Sequence, residues 1–196
     1  MHEAILTSGE RVAVKVQHRW IKEQIPGDIK LTKLGSTCAK RLFKDNYKLG
    51  WLVEQMEQKL PQELDFRREA ENCNRTRANF QQNQSVCIPQ VFYASHRVLV
   101  MSFEEGIPIN KVTSLRNNQI DLKTVANLVN HAFSEMIFQH GFVHADPHPG
   151  NLLVRKGLGG SHELVVLDHG VYTELKGDTR LSYTELWRAM LTQNND

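Results

Sequence analysis

The sequence predicts an α+β fold in which two lobes share a cleft. Valine-rich segments at Arg11–Gln17 and Leu164–Leu167 predict strands near the two ends of the chain. Residues Asp121–His140 carry apolar side chains at helical spacing and predict a long core helix that ends at Gly141. With 196 residues and 40% hydrophobic content, the chain can form one domain of ordinary size or two small lobes.

The first predicted element is a β-hairpin, formed by His2–Leu6 and Arg11–Gln17 around a turn that contains Gly9. Alternation along the second strand places Lys15 and Ala13 on one face and the valines on the other. A lysine beside alanine on an apolar strand leaves room for the phosphates of a ligand. The alternative interpretation is an edge-strand lysine that opposes aggregation.

Residues 21–59 predict mostly helix that packs in the ordinary way. Pro26-Gly27-Asp28 is expected to open one helix, with Asp28 as its cap, and Trp51–Leu60 is expected to lie in a second. The pattern by itself indicates packing and assigns no chemistry to this region.

A further helix is expected to begin at Pro61, which suits a first helical turn, and to carry Glu63, Asp65 and Glu69. Asp65 and Glu69 are four residues apart and would therefore share one face of that helix. Mixed acidic and basic sequences of this kind usually form a solvated helix surface.

The most informative stretch is Gly141–Asn151, which reads Gly-Phe-Val-His-Ala-Asp-Pro-His-Pro-Gly-Asn. Its two prolines forbid a helix and stiffen a loop that holds the Asp146 carboxylate and, five residues later, the Asn151 carboxamide. Phosphoryl transfer needs one group to orient a nucleophile and oxygens to hold Mg²⁺. The spacing His144-x-Asp-x-x-x-x-Asn arises by chance about 0.02 times in a chain of this composition.

A second acidic element follows the loop, where the apolar strand Leu164–Leu167 ends in Asp168-His169-Gly170. An acid and a glycine after such a strand are typical of a metal-binding Asp-x-Gly segment. The alternative interpretation is a polar turn between two strands. A zinc site formed by Asp146, His148 and His169 is weakly supported, because no His-x-x-x-His helix or cysteine accompanies these residues.

Four motifs in this order resemble the UbiB-like, aarF-domain-containing atypical kinases. His169, where many members have Phe, and Glu135-Met-Ile-Phe resemble the mitochondrial aarF-domain-containing kinase 1 branch of that family. The resemblance covers nearly the whole chain, and the octapeptide in the catalytic-loop position is highly specific. The four motifs are Val12–Gln17, Glu63-Leu-Asp65, His144–Asn151 and Leu167–Gly170.

The resemblance implies a two-lobed, protein-kinase-like fold, with residues 1–103 as a small lobe with inserted helices and residues 104–196 as part of a large lobe. It also implies an ATP-dependent phosphotransferase or ATPase that uses Mg²⁺. Lys15 would contact the nucleotide phosphates and Glu69 would orient it. Asp146 would be the catalytic carboxylate, and Asn151 and Asp168 would hold Mg²⁺, which prefers oxygen ligands.

Other residues take supporting roles under the same resemblance. Val98–Phe103 would be the last small-lobe strand and the start of the hinge. Met101 would back the adenine, and Ser102 and Phe103 would present backbone groups to its edge. Glu63 and Asp65 match the Glu-x-Asp motif of the family, and His144 would brace the loop backbone.

The sequence departs from the family pattern at both ends. The alanine-rich nucleotide loop and an upstream Lys-x-Gly-Gln extension are not found in it. The sequence also stops soon after Asp168-His169-Gly170, before most of the large-lobe helices of the family, so the chain is expected to be a fragment of a longer protein. Two alternative functions stay open, namely a catalytically silent pseudokinase that acts as a binding module and a small-molecule kinase of the aminoglycoside-phosphotransferase type.

Composition limits the partners and the compartment. A net charge of +2 without a basic-aromatic patch does not favour nucleic acid. The three cysteines are widely spaced and indicate reduced thiols rather than a disulfide framework. No targeting segment and no apolar run of spanning length is found in the sequence. Family resemblance suggests a mitochondrial location, a lipid, small-molecule or protein acceptor, peripheral membrane association, and a role in lipid or quinone homeostasis.

Overall fold

The computed structural model describes residues 1–42, 64–157 and 160–192. Its first sheet contains β1 (His2–Ile5), β2 (Arg11–Val16), β4 (Val91–Ala94) and β5 (Val98–Ser102). The sheet is antiparallel, and its strand order is β1-β2-β5-β4. The register pairs Lys15 of β2 with Leu99 of β5 and Ala13 with Met101, so the lysine lies on an inner strand rather than at an edge.

Helix α1 (Ile21–Leu42) follows β2 and begins earlier than predicted. The N–H groups of Ile21 and Gln24 donate to the carbonyls of His18 and Trp20, which starts the helix directly after the strand. Pro26 therefore lies inside α1, where it forgoes one backbone hydrogen bond, and does not open the helix as expected. The second predicted helix, at Trp51–Leu60, lies outside the described residues.

Helix α2 (Phe66–Asn79) carries Glu69 in its first turn. The Asp65 side chain accepts a hydrogen bond from the Arg67 N–H, which makes Asp65 the N-cap. The expectation that Asp65 and Glu69 share a helix face is therefore wrong, because Asp65 has left the helical conformation. Pro61 and Glu63 lie outside the described residues.

The other lobe contains β3 (Val86–Cys87), β6 (Ile107–Pro108), α3 (Val112–Asn117), α4 (Leu122–Ser134), β8 (Leu152–Lys156) and β9 (His162–Val166). Its four strands form a second sheet in the order β3-β9-β8-β6. This sheet packs against the helices that follow β6, and together they bury a core that includes Leu115, Val125, Met136, Val154 and Leu164.

The long predicted helix at 121–140 is present, but it has two parts. Asp121 caps α4 by accepting from the Thr124 N–H, and a π-helical segment, Glu135–His140, completes the run. Gly141 ends it with φ of +62°, as the sequence predicts. The chain then enters β7 (Phe142–His144), so the end of this helix determines where the loop that carries Asp146 starts.

Two further elements complete the described chain. Strand β10 (Tyr172–Glu174) pairs with β7 in a separate two-stranded sheet. Helix α5 (Gly177–Thr192) exposes apolar side chains, among them Trp187 and Met190. Among the described residues, no helix combines the length and the apolar composition that crossing a membrane requires.

Helix α2 contributes to both hydrophobic cores. Phe66 and Ala70, at its start, pack with Leu99 and Met101 of the first sheet. Cys73, one turn later, belongs to the core of the second sheet. Strand β3 also pairs with that sheet, in parallel with β9. The lobe boundary at residues 103 and 104 stays a prediction, and this helix physically connects the two lobes.

Candidate active site

Lys15 and Glu69, which are 54 residues apart, form a close ion pair. The Lys15 Nζ donates to both carboxylate oxygens of Glu69, at 2.8 and 2.9 Å. It also donates to the Asp168 Oδ1 at 3.3 Å. The Glu69 side chain is 6% exposed and that of Lys15 is 24% exposed, so the pair lies at the inner wall of a cleft.

The surroundings of this pair keep its cation charged. Burial lowers the pKa of Lys15, but the carboxylates of Glu69 and Asp168 more than offset this, and the net pKa lies above its ordinary value. Burial also raises the pKa of Asp168, while the Lys15 ammonium and the Gly170 N–H lower it further, so its net pKa lies below its ordinary value. At neutral pH, a cation and an anion are therefore held side by side.

Two neighbours of Lys15 received no role from the sequence. The Phe66 ring lies 5.3 Å from the Lys15 Nζ, close enough for a cation–π contact. Gln17 lines the same cleft, and its Nε2 donates to the Leu64 carbonyl at 2.7 Å. The sequence could have indicated Gln17, because it lies two residues after Lys15. In an extended chain, side chains two residues apart point to the same side.

The loop after β7 is held by the His144 side chain. Its Nε2 lies 2.7 Å from the Asp168 carbonyl, which can only accept, so Nε2 carries the hydrogen. Its Nδ1 then accepts from the Asp146 N–H at 3.1 Å. His144 is buried and joins the loop that carries Asp146 to the backbone of Asp168.

The segment Pro149–Asn151 forms a single 3₁₀ turn that presents Asn151. The His148 Nδ1 accepts from the Gly150 N–H, and the His148 carbonyl accepts from the Asn151 N–H. The Asn151 carbonyl in turn accepts from the Leu167 N–H at 2.7 Å. Backbone bonds therefore hold Asn151 next to the strand that leads to Asp168.

The five residues predicted from the sequence meet at one cleft of about 440 Å³. Each of them lines it, although they come from both lobes. Their roles in binding and catalysis stay predictions, whereas their convergence is a property of the fold. The five are Lys15, Glu69, Asp146, Asn151 and Asp168.

The three predicted hinge residues do not line this cleft. Met101 is buried in the small-lobe core. The Ser102 N–H donates to the Gln90 carbonyl and the Phe103 N–H to the Arg11 carbonyl, so both donors that were expected to meet adenine are occupied within the protein. Contact of these residues with a nucleotide stays a prediction that this geometry does not support.

Asp65 of the predicted Glu-x-Asp motif also lies apart from the cleft lining. Besides capping α2, it forms an ion pair with Arg67 at 2.7 Å. Hydrogen bonds from Arg67 lower the pKa of Asp65 to about 2. The described geometry assigns Asp65 to the start of the helix that carries Glu69.

Asp168 and Asn151 have the chemistry that a magnesium ion requires. Asp168 is ionised at neutral pH, and its side chain is 45% exposed. The carboxylate of Asp168 and the carboxamide oxygen of Asn151 are hard donors that line the same cleft. These two residues therefore fit a divalent cation bound next to phosphate.

Together, these features define a class. A two-lobed α+β fold in which a strand lysine pairs with a helix glutamate, opposite a loop Asp and Asn and a second Asp, is a protein-kinase-like domain. The sequence matches the family of the ABC1 atypical kinase-like domain over residues 1–196. The chain belongs to this family, as its motifs indicate.

Known relatives agree with this assignment. The chain is 42% identical over 193 residues to the AarF domain-containing kinase 1 of Drosophila melanogaster and covers 37% of its length. It is 39% identical over 199 residues to the AarF domain-containing protein kinase 1 of Mus musculus and covers 38% of it. A probable serine/threonine-protein kinase of Dictyostelium discoideum, abkD, is 37% identical, with 28% of its length covered.

A solved structure gives the same fold. The complex of Rv3197 with erythromycin from Mycobacterium tuberculosis superimposes with a TM-score of 0.69 at 22% identity. The match covers 99% of this chain and 50% of that one. The predicted protein-kinase-like fold class is therefore confirmed, and the chain spans under two fifths of the length of its animal relatives.

Proposed function

We propose that this chain carries the nucleotide-binding and phosphoryl-transfer centre of a phosphotransferase or ATPase that uses Mg-ATP. The observation that carries the proposal is the contact of Lys15 with both Glu69 and Asp168. A lysine held by a carboxylate stays charged and is positioned to meet phosphate oxygens. Asp168 contacts the same amine, so a cation that it held would lie beside those oxygens.

Each remaining residue takes a defined part. Asp168 and Asn151 would hold Mg²⁺, which would neutralise charge on the phosphates. Asp146 would orient the attacking hydroxyl or water, since it is exposed and lines the cleft. His144 would keep Asp146 in place through the bond from the Asp146 N–H.

Titration calorimetry with ATP, in Mg²⁺ and in EDTA, tests this assignment. Asp168→Asn is expected to weaken Mg²⁺-dependent binding by about 10-fold or more and to leave metal-free binding nearly unchanged. Asp146→Asn should keep Mg-ATP affinity and lower phosphate release by about 100-fold or more. Asp178→Asn, which changes an exposed carboxylate on α5, is the matched control and should behave like the unmodified chain.

The outcomes separate the alternatives. Binding without phosphate release, with or without candidate acceptors, would favour a pseudokinase that acts as a binding module. Phosphate release that depends strictly on an aminoglycoside-like small molecule would favour the other alternative. Equal losses of binding in Asp168→Asn and Asp146→Asn would refute the division of roles.

For the whole protein, we propose mitochondrial residence and a role in lipid or quinone homeostasis. Family resemblance supports this part, and the acceptor would be a lipid, a small molecule or a protein, with peripheral membrane association. Subcellular fractionation of the full-length protein, followed by carbonate extraction, is the test. Recovery outside mitochondria would refute the location, and resistance to extraction would refute peripheral association.

A further inference from the structure

His169, the residue after Asp168, is a buried histidine whose two ring nitrogens both have partners. Its side chain is 1% exposed. The Nε2 lies 3.0 Å from the Val166 carbonyl, so Nε2 carries the hydrogen and donates. The Nδ1, at 2.8 Å from the Tyr172 hydroxyl, therefore accepts from it. Burial lowers the pKa of His169 to about 4, which agrees with a neutral ring.

The backbone of His169 is bonded to helix α2. Its carbonyl accepts from the Asn72 Nδ2 at 3.0 Å, and its nearby N–H lowers the pKa of the Glu69 carboxylate. Asn72 follows Glu69 by three residues and so lies on the same face of the helix. His169 is thus linked to helix α2, to β9 and to Tyr172.

These bonds surround a backbone conformation that needs support. Asp168 has φ of +54°, in the left-handed region that residues other than glycine rarely adopt. Such a conformation persists where neighbouring contacts hold it. The Asp168 side chain is in turn bonded by the Gly170 N–H at 3.2 Å. His169, which lies between Asp168 and Gly170, is therefore well placed to control the orientation of the Asp168 carboxylate.

We propose that His169 is a positioning residue that holds Asp168 in its left-handed conformation and ties it to α2. Asp168, the proposed metal carboxylate, and Glu69, the partner of Lys15, then keep a fixed position relative to each other. This role rests on the proposed function only in calling Asp168 a metal carboxylate. Its structural content, a hydrogen-bonded link between the metal segment and α2, stands on the contacts themselves.

Hydrogen bonding, rather than ring shape, is the basis of this role. The His169 and Tyr172 rings are stacked, with centroids 5.7 Å apart and an interplanar angle of 13°. Phenylalanine at position 169 would keep an aromatic ring there. It would leave the Val166 carbonyl and the Tyr172 hydroxyl without these bonds in a buried place, which is unfavourable. His169→Phe therefore removes the bonds and keeps most of the volume.

Amide hydrogen exchange of Gly170, followed by NMR, tests the positioning without any ligand. Since that N–H is bonded to the Asp168 Oδ1, its exchange rate reports how firmly the carboxylate is held. We expect the Gly170 amide of His169→Phe to exchange about 10-fold faster, as the loss of one or two hydrogen bonds would produce, and that of Tyr172→Phe to shift less in the same direction. Val125→Ala, a core truncation in α4, is the control for lost global stability.

Calorimetry with Mg-ATP gives the second readout. His169→Phe should weaken Mg²⁺-dependent binding by about 10-fold and leave binding in EDTA unchanged, whereas Val125→Ala should alter neither. Gly170 exchange and Mg²⁺-dependent affinity that match those of Val125→Ala would overturn the positioning role. A parent chain that binds no Mg-ATP would refute the proposed function instead, and Gly170 exchange would still decide the role of His169.

Discussion

Removing the Lys15 ammonium tests whether the ion pair is as tightly coupled as its geometry indicates. Lys15→Met keeps most of the length of the side chain and leaves Glu69, whose side chain is 6% exposed, with no cation beside it. A buried pair that loses one partner typically costs about 3 to 5 kcal/mol. We expect the lower end, about 3 kcal/mol, because the Lys15 side chain is 24% exposed and water relieves part of the loss.

The reverse change should be milder. Glu69→Gln leaves Lys15 next to Asp168 at 3.3 Å, so the loss should be about 1.5 kcal/mol, within the range for a hydrogen bond to a charged group. If the two residues act as a unit, the double variant should lose about 2.5 kcal/mol rather than the sum. The coupling free energy would then be about 2 kcal/mol, as for groups in direct contact.

Urea unfolding followed by tryptophan fluorescence measures all four free energies of unfolding. Losses that add to within about 0.5 kcal/mol would refute the pairing. The pH dependence gives a further check. Burial raises the pKa of Glu69 above its ordinary value even beside Lys15, and loss of the ammonium, which lowers that pKa, should raise it further. The folded variant then binds a proton more readily than the unfolded chain, so the Lys15→Met deficit should shrink as the pH falls from neutral towards the ordinary pKa of a glutamate, about 4.3.

Two further predictions concern the surroundings of the site. Gly141→Ala should lower stability by about 1 to 2 kcal/mol, measured by thermal unfolding, because φ is +62° and a Cβ would lie 3.3 Å from the Leu175 carbonyl oxygen; an unchanged melting temperature would contradict this. Iodoacetamide at pH about 8 should label exposed Cys38 quickly and leave Cys73 unreacted until unfolding, since burial raises the Cys73 pKa to about 12. Equal labelling rates by mass spectrometry would contradict the burial.

Local signals explain what the sequence predicted well. The hairpin follows from alternation around a turn, and the end of the 121–140 helix follows from Gly141. The site residues were found because strand ends and a proline-stiffened loop place Lys15, Asp146 and Asp168 at element boundaries, where the fold brings side chains together. Lys15 and Asp168 are 153 residues apart in the sequence and yet in contact. This contact could be predicted only from the family resemblance, because periodicity says nothing about which distant segments meet.

Tertiary context explains what the sequence did not predict. Pro26 reads as a helix start, yet the backbone bonds at Ile21 and Gln24 begin α1 first. The spacing of Asp65 predicts a position on a helix face, yet its side chain accepts from the Arg67 N–H and caps the helix instead. The donors of Ser102 and Phe103 could not be assigned from the sequence, because their acceptors lie in other segments, at Gln90 and Arg11.

The position of α2 has a consequence for how freely the site can rearrange. Sliding this helix to separate Glu69 from Lys15 would also pull Cys73 out of the second core, where it is 1% exposed. Phe80, which follows the last turn of α2, is 3% exposed in the same core, and exposing it alone would cost about 1.5 to 3 kcal/mol. With the ion pair also lost, the separated state would hold well under about 1% of molecules. A large coupling free energy in the Lys15 and Glu69 cycle is therefore what a helix packed into both lobes requires. A small one would mean that α2 moves despite its two cores.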